Sequence, residues 1–141
     1  REMPRTRASA SREGMPPHRL VAGVLGYMKR DRFSGSAQDI HTAFAGLQRE
    51  EPLLFTEFVF SSGENFPYSK ALERALSELM HSDVIKAFGE INPGYLTYLI
   101  PVGQRRRIRR FLEQEYCRRP QLLQKLRRLA RVFEASCPPT G

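Results

Sequence analysis

The groups best suited to binding a ligand form a dense arginine run in the last third of the chain. The stretch RRRIRR places five arginines within six positions, namely Arg105, Arg106, Arg107, Arg109 and Arg110. A guanidinium group stays charged and donates hydrogen bonds in a planar fork that matches phosphate oxygens. The run also begins a predicted helix, at the end where the helix dipole favours acidic side chains. This placement indicates either an anionic partner or a run that extends beyond the helix.

A second group of basic residues follows at helical spacing. Lys125 and Arg128 fall on neighbouring turns of one predicted helix, and Arg127 and Arg131 do likewise. Residues 101–141 hold eleven basic residues and three acidic ones, so most of these cations have no local carboxylate to pair with. We therefore predict an anion-binding surface here, and the alternative is the solvated face of two amphipathic helices.

The net charge of +8 is distributed unevenly along the chain. Residues 1–20 hold five basic and two acidic residues, whereas residues 21–100 hold seven basic and ten acidic ones. Basic character is therefore confined to the two ends, which is typical of chains that bind nucleic acid or an acidic protein. A membrane fits less well, because the apolar helix faces are needed for the core and no apolar run reaches the roughly 18 residues of a membrane span.

Residues that support catalysis or metal binding do not form a recognisable set. The histidines His18, His41 and His81 are scattered, and none has a cysteine or another histidine at metal-ligand spacing. The sequence contains no phosphate-binding glycine loop, no dinucleotide fingerprint and no nucleophile elbow. We therefore predict a protein that is not an enzyme, with no catalytic residues, no cofactor and no metal ion.

The two cysteines, Cys117 and Cys137, bear on the compartment. Two cysteines make no disulfide framework, and a domain of this length can build a hydrophobic core without one. We expect two free thiols and a cytoplasmic location.

The spacing of apolar residues predicts the helices that position these groups. Apolar residues recur at helical spacing over residues 18–31, which indicates a first helix. Ser36 is placed to cap a second helix that ends near Glu50, and Ser69 is placed to cap a third with a leucine-rich face. Two further helices follow and are separated by Pro120.

Two stretches favour extended chain. Residues 53–60 are dense in phenylalanine and favour a strand over a short helical turn. Residues 84–88 and 95–100 are strand-like, and residues typical of turns lie between them at 89–94. The last two runs predict an antiparallel hairpin.

The predicted order of helix, helix, strand, helix and hairpin resembles a winged helix-turn-helix domain over residues 18–101. The stretch SKALERALSELMHSDVI is similar to the third helix of such domains, which leads into the first strand of the wing. The resemblance implies that this helix enters a major groove and that the wing contacts the nucleic-acid backbone. Lys70, Arg74 and Lys86 are then secondary contacts. The alternative for the third helix is a solvated face of mixed charge, since two glutamates lie beside its cations.

A shorter resemblance concerns the lead-in to the third helix. The sequence Phe66-Pro67-Tyr68-Ser69 resembles the start of a similar helix in the Panacea-type family of proteins associated with bacterial antitoxins. It agrees with the alternative function, a protein-interaction adaptor of the antitoxin or assembly type. In that case the helical tail docks on an acidic protein partner or pairs in a homodimer.

The chain is thus predicted to be mainly α with a minor β component (α+β). A flexible basic arm covers residues 1–17, a winged-helix-like domain with a two-stranded hairpin covers 18–101, and an arginine-rich helical extension at 102–141 packs on or beside it. We expect a non-enzymatic nucleic-acid-binding or regulatory protein that binds DNA or RNA through the basic surface of its helical tail.

Overall fold

The computed structural model describes residues 15–62, 65–89 and 96–139, which form a mainly helical fold with a small antiparallel sheet. In chain order the elements are α1 (Pro17–Gly26), β1 (Arg32–Ser34), α2 (Ala37–Glu50), α3 (Lys70–His81), β2 (Lys86–Gly89), β3 (Leu96–Leu99), α4 (Val102–Glu115) and α5 (Pro120–Ser136). The prediction of a mainly α fold with some β structure is confirmed. Most of the predicted flexible arm lies outside the described residues, but Met15 is buried in the core and Pro17 begins α1.

Side-chain caps fix the starts of α2 and α3 as predicted. The Ser36 hydroxyl accepts the N–H of Asp39 at 3.3 Å, and the Ser69 hydroxyl accepts the N–H of Leu72 at 3.2 Å. α1 and α5 begin instead with a proline in the first turn, where a missing N–H costs no helix hydrogen bond. The predicted end of α2 at Glu50 is also confirmed.

α1 ends at Gly26, five residues before its predicted end. The N–H groups of Lys29 and Arg30 donate to the Glu134 carboxylate of α5 at 2.8 and 2.7 Å, so these amides are satisfied without a continuing helix. The chain then becomes extended as β1. This strand was not predicted, because three residues are too few for a periodic pattern.

The sheet has three strands rather than the two predicted, and β3 lies between β1 and β2. Tyr98 of β3 pairs with Phe33 of β1 on one side and with Ala87 of β2 on the other. The predicted antiparallel pairing of β2 and β3 is therefore confirmed, and of the turn predicted at 89–94 only Gly89, the last residue of β2, lies within the described residues.

The strand predicted for residues 53–60 is wrong, because this segment folds into successive turns after α2. The Gln48 side-chain amide donates to the carbonyls of Phe55 and Phe58 at 3.0 and 2.8 Å and holds the turns against α2. The two buried rings pack on each other, and Phe55 also packs on Phe44. The aromatic residues that favoured a strand therefore serve the core.

One hydrophobic core connects the helices. α1 packs on α3, α4 and α5, while α2 packs on α5. A glycine is required at Gly26, because a Cβ there would lie 2.7 Å from the Ile108 side chain of α4. Leu126 and Phe133 of α5 are fully buried in the same core. The described part of the extension predicted at 102–141 is thus packed into the core of the preceding elements.

Candidate nucleic-acid interface

The arginine run covers the fourth to the ninth residue of α4, and the helical repeat places its members on different sides of the helix. Arg105 is on the inner side and only 8% exposed. Its guanidinium donates to the carbonyl oxygens of Ile100 at 3.1 Å and Met28 at 3.0 Å, and burial lowers its pKa. Arg105 therefore ties the segment before α4 to the segment after α1. Because its guanidinium is buried and engaged by backbone carbonyls, Arg105 has a structural role rather than the predicted role as a nucleic-acid contact.

Arg109 also faces inward and is half-buried. Its Nη1 donates to the Gly26 carbonyl at 2.8 Å, at the C-terminal end of α1. A cation near the last carbonyls of a helix is favourable both as a hydrogen-bond donor and for the helix dipole. Arg109 thus has a structural role, and we remove it from the predicted contacts as well.

The outer face of α4 carries Arg106, Arg107 and Arg110, and all three are exposed. No hydrogen bond or ion pair joins these guanidinium groups to any other described residue. Pro101 is the N-cap of α4, no side chain caps the free N–H groups there, and the first turn holds no acidic residue. The three arginines lie in the second and third turns of α4, beyond the first turn in which the helix dipole acts, so the guanidinium charges themselves make this face positive. We refer to Arg106, Arg107 and Arg110 as the outer face of α4.

The basic residues of α5 differ, because carboxylates lie beside them. The Lys125 ammonium lies 3.6 Å from the half-buried Glu51 carboxylate, and the Arg128 guanidinium donates a hydrogen bond to the same carboxylate. Glu51 directly follows α2, which packs on α5. The sequence pattern could not reveal this pairing, since it depends on how two distant helices pack.

The other two basic residues of α5 are also paired. The Arg127 guanidinium lies 3.9 Å from the Glu113 carboxylate and over the Tyr27 ring. The Arg131 Nε donates to the Glu134 carboxylate at 3.1 Å, and its Nη2 donates to the Tyr27 carbonyl. Exposed ion pairs add only about 0–1 kcal/mol of stability each, but they neutralise charge locally. The predicted contacts on α5 therefore offer a weaker positive field than their number indicates.

The exposed face of α3 has balanced charges. Lys70 and Arg74 are exposed on it, as are Glu73 and Glu78. The Glu73 carboxylate accepts a hydrogen bond from the Tyr68 hydroxyl. Since phosphate neutralisation dominates the affinity for nucleic acid, a helix with balanced charges is a weak electrostatic contact.

The outer side of the sheet holds a basic and aromatic patch that the sequence analysis missed in part. Arg32 of β1 and Lys86 of β2 are both paired with Leu99 of β3, so their side chains share one side of the sheet. The Arg32 guanidinium lies over the Phe88 ring at 5.2 Å from its centroid, and Phe88 is 40% exposed. Leu99 is two residues before the N-cap of α4, so this patch, defined by Arg32, Lys86 and Phe88, lies near the start of α4.

The remaining reactive groups form no metal or redox centre among the described residues. No three His, Cys, Asp or Glu side chains in this part of the chain are grouped to hold a metal ion. Cys117 is exposed and Cys137 is buried, and both are free thiols as predicted. Burial raises the pKa of Cys137 to about 12, so its thiol stays protonated in the core.

Comparisons with known proteins gave no relatives. No protein-family model matches the chain, no curated protein is similar to it, and no solved structure matches its fold. Within the described ranges, none of the helices is both long enough and apolar enough to cross a membrane.

Proposed function

We propose that this chain is a non-enzymatic nucleic-acid-binding protein whose main contact with DNA or RNA is the outer face of α4. One observation carries the proposal, namely three exposed guanidinium groups that share one face of α4 and have no partner among the described residues. Guanidinium groups bind phosphate oxygens through paired hydrogen bonds, and neutralised phosphates supply most non-specific affinity.

The spacing on α4 supports contacts to separate phosphates. Arg106 and Arg110 are one turn apart, which is about 6 Å along the helix axis. Arg107 precedes Arg110 by three residues, so these two side chains are also neighbours on the helix surface. Phosphates of one strand follow each other at about 3.4 Å along a duplex axis. The long side chains therefore suit a contact in which each guanidinium neutralises its own phosphate.

The patch on the outer side of the sheet supports the same proposal. Exposed aromatic rings next to cations are the elements that bind single-stranded nucleic acid, because bases stack on the ring while cations hold the backbone. Phe88 supplies the ring, and Lys86 supplies a charge without a carboxylate partner among the described residues. Arg32 contributes less, because its Nε lies 3.4 Å from the Asp31 carboxylate. A strand that follows the outer face of α4 and this patch would use both features.

The winged-helix assignment remains a proposal, and the hairpin of β2 and β3 directly after α3 supports it. The balanced charges on the exposed face of α3 favour weaker contacts by Lys70 and Arg74 than by α4. We therefore propose binding that depends on the charged backbone more than on the base sequence.

An adaptor that docks on an acidic protein is the alternative function, because arginines bind carboxylates as well as phosphates. Leu53 and Val59 favour it, since these large apolar side chains are 60% and 77% exposed in the turns after α2. Exposed apolar side chains next to charged residues are common at protein contacts.

A salt titration of the full chain tests the proposal. We expect binding to fluorescent single-stranded and duplex oligonucleotides to weaken steeply with salt, with a log–log slope of about −0.9 per neutralised phosphate on duplex DNA. The variant R106Q/R107Q/R110Q should make the log–log salt slope on duplex DNA shallower by about 3, and it should lower the affinity at least tenfold. An unchanged melting temperature is the control for folding. Failure of the wild-type chain to bind either oligonucleotide would refute the proposal and favour the adaptor.

A further inference from the structure

A cavity of about 480 Å³ lies between α2, α3 and β3. Its walls include the apolar side chains of Ile40, Leu76 and Met80 and the aromatic ring of Tyr98. Tyr98 lies on the opposite side of the sheet from Lys86, because neighbouring residues of a strand alternate between sides. The volume is within the range of roughly 300–1,000 Å³ that is usual for small-molecule sites.

His41 of α2 is the most informative residue in the wall. Its side chain is packed so that the residue is only 3% exposed, and its ring stacks on the Tyr68 ring at 4.6 Å. Its Nδ1 accepts the backbone N–H of Ser69 at 3.0 Å. Burial lowers the pKa of His41, while the nearby Glu73 carboxylate opposes this effect. A neutral ring that accepts at Nδ1 carries its proton on Nε2.

The Nε2–H of His41 has no partner among the described residues. No side-chain nitrogen or oxygen among these residues is both fully buried and without a hydrogen-bond partner, so Nε2 keeps some accessible surface, and the cavity that His41 lines is the open space beside it. The half-buried Tyr98 hydroxyl likewise makes no hydrogen bond to another described side chain or backbone group. Two donors thus line a largely apolar space, as in sites where a few polar groups orient an apolar ligand.

The charged groups at the cavity restrict the ligand further. Glu73 places a carboxylate in the wall, which disfavours an anion. The His81 Nδ1 is 2.8 Å from the Ser77 carbonyl, so its proton is directed at its own helix rather than at a ligand. The Nε2–H of His41 and the Tyr98 hydroxyl remain as donors, so the ligand must supply an acceptor oxygen.

We infer that this cavity binds a neutral small molecule with an apolar body and a carbonyl or hydroxyl oxygen, which accepts the Nε2–H of His41. The inference is independent of the proposed nucleic-acid function, because none of its residues belongs to the outer face of α4 or to the sheet patch.

Nuclear magnetic resonance titration of the labelled full chain with defined probes tests the inference. Acetophenone supplies an aromatic body with a carbonyl oxygen, toluene supplies the body alone, and benzoate supplies the body with an anion. We expect acetophenone to shift the Leu76 and Met80 methyl and His41 ring resonances in a saturable manner, with a dissociation constant of about 1 mM. Toluene and benzoate should bind at least several-fold more weakly. Absence of saturable shifts with acetophenone, or equal binding of all three probes, would overturn the inference.

Two tryptophan variants one residue apart provide a matched control. Ser77 lines the cavity, whereas Glu78 is exposed on the same helix and does not. Ser77→Trp should fill the entrance and weaken acetophenone binding at least tenfold, while Glu78→Trp should leave it unchanged. Tyr98→Phe, which removes only the hydroxyl, should weaken binding a few-fold. Equal affinities in the Ser77 and Glu78 variants would show that the probe binds elsewhere and would contradict the assignment.

Discussion

α4 and α5 are both rich in basic residues, but they present different charge to solvent. Arg106, Arg107 and Arg110 on the outer face of α4 have no partner among the described residues. Each predicted contact on α5 lies beside a carboxylate, supplied by Glu51, by Glu113 of α4 or by α5 itself. The number of cations in a sequence therefore overstates a binding surface, because packing decides which of them are free.

The physical reason for the difference is the position of each helix in the fold. α5 packs on α2 and α1, so its flanks meet the acidic end of α2 and the segment after α1. α4 buries its inner side on α1 through Arg105, Arg109 and Ile108. Its outer side meets no acidic group of the described residues. Within α4 itself, the same residue type thus has a structural role on one side and a binding role on the other.

The largest effect is expected from removing the carboxylate that organises the inner flank of α5. Glu134→Ala removes the acceptor for the N–H groups of Lys29 and Arg30 and for the Arg131 guanidinium. Unpaired buried donors cost about 1–3 kcal/mol each, so we expect a loss of about 3 kcal/mol in the free energy of unfolding. Urea denaturation measures it. Glu115→Ala, at an exposed ion pair between α4 and α1, should cost less than about 1 kcal/mol. Equal losses would contradict the assigned roles.

A smaller effect should distinguish the two sides of α4. Arg105→Gln loses charged hydrogen bonds to the carbonyls of Ile100 and Met28, and we expect a loss of about 2 kcal/mol in unfolding free energy. Arg106→Gln, one residue further on the exposed side, should change stability by less than about 0.5 kcal/mol. Thermal and urea unfolding of both variants provide the measurement. Similar stabilities for the two would mean that the helical repeat does not separate their roles.

A still smaller effect should follow from releasing the cations of α5. Glu51→Gln removes the carboxylate beside Lys125 and Arg128, so both become available to an anion. We expect oligonucleotide affinity to rise a few-fold. The log–log slope of affinity against salt on duplex DNA should become steeper by about 1. Glu57→Gln makes the same change in net charge at an exposed residue outside any ion pair of the described part. If Glu51→Gln raises the oligonucleotide affinity no more than Glu57→Gln does, Glu51 does not mask the charges of Lys125 and Arg128.

Sequence information was sufficient where the signal was local and insufficient where it depended on packing. The caps at Ser36 and Ser69 and the hairpin were predictable because a side chain or a turn specifies them within a few residues. The strand β1 was not, because the strand with which it pairs in the described part of the chain is β3, more than sixty residues away. The segment at 53–60 was misassigned because phenylalanines favour strands and cores alike.

The candidate site shows the same division. The sequence located the arginine run, but only the packing of α4 on α1 assigns Arg105 and Arg109 to internal carbonyls. The sheet patch depends on β3 bringing Arg32 and Lys86 to one side, which no local pattern contains. The His41 cavity depends likewise on α2, α3 and β3 meeting, so its isolated histidine carried no signal in the sequence.

The most direct test of the central claim compares two variants of equal charge. R106Q/R107Q/R110Q and K125Q/R127Q/R128Q each remove three positive charges, the first from the outer face of α4 and the second from the paired residues of α5. Fluorescence anisotropy with one duplex and one single-stranded oligonucleotide, measured across salt concentrations on folded variants, gives the affinity and its salt dependence. We predict that the α4 variant binds at least tenfold more weakly and that its log–log salt slope on duplex DNA is shallower by about 3. Both quantities should change much less in the α5 variant. Equal losses, or a larger loss in the α5 variant, would contradict the claim that pairing decides which cations bind.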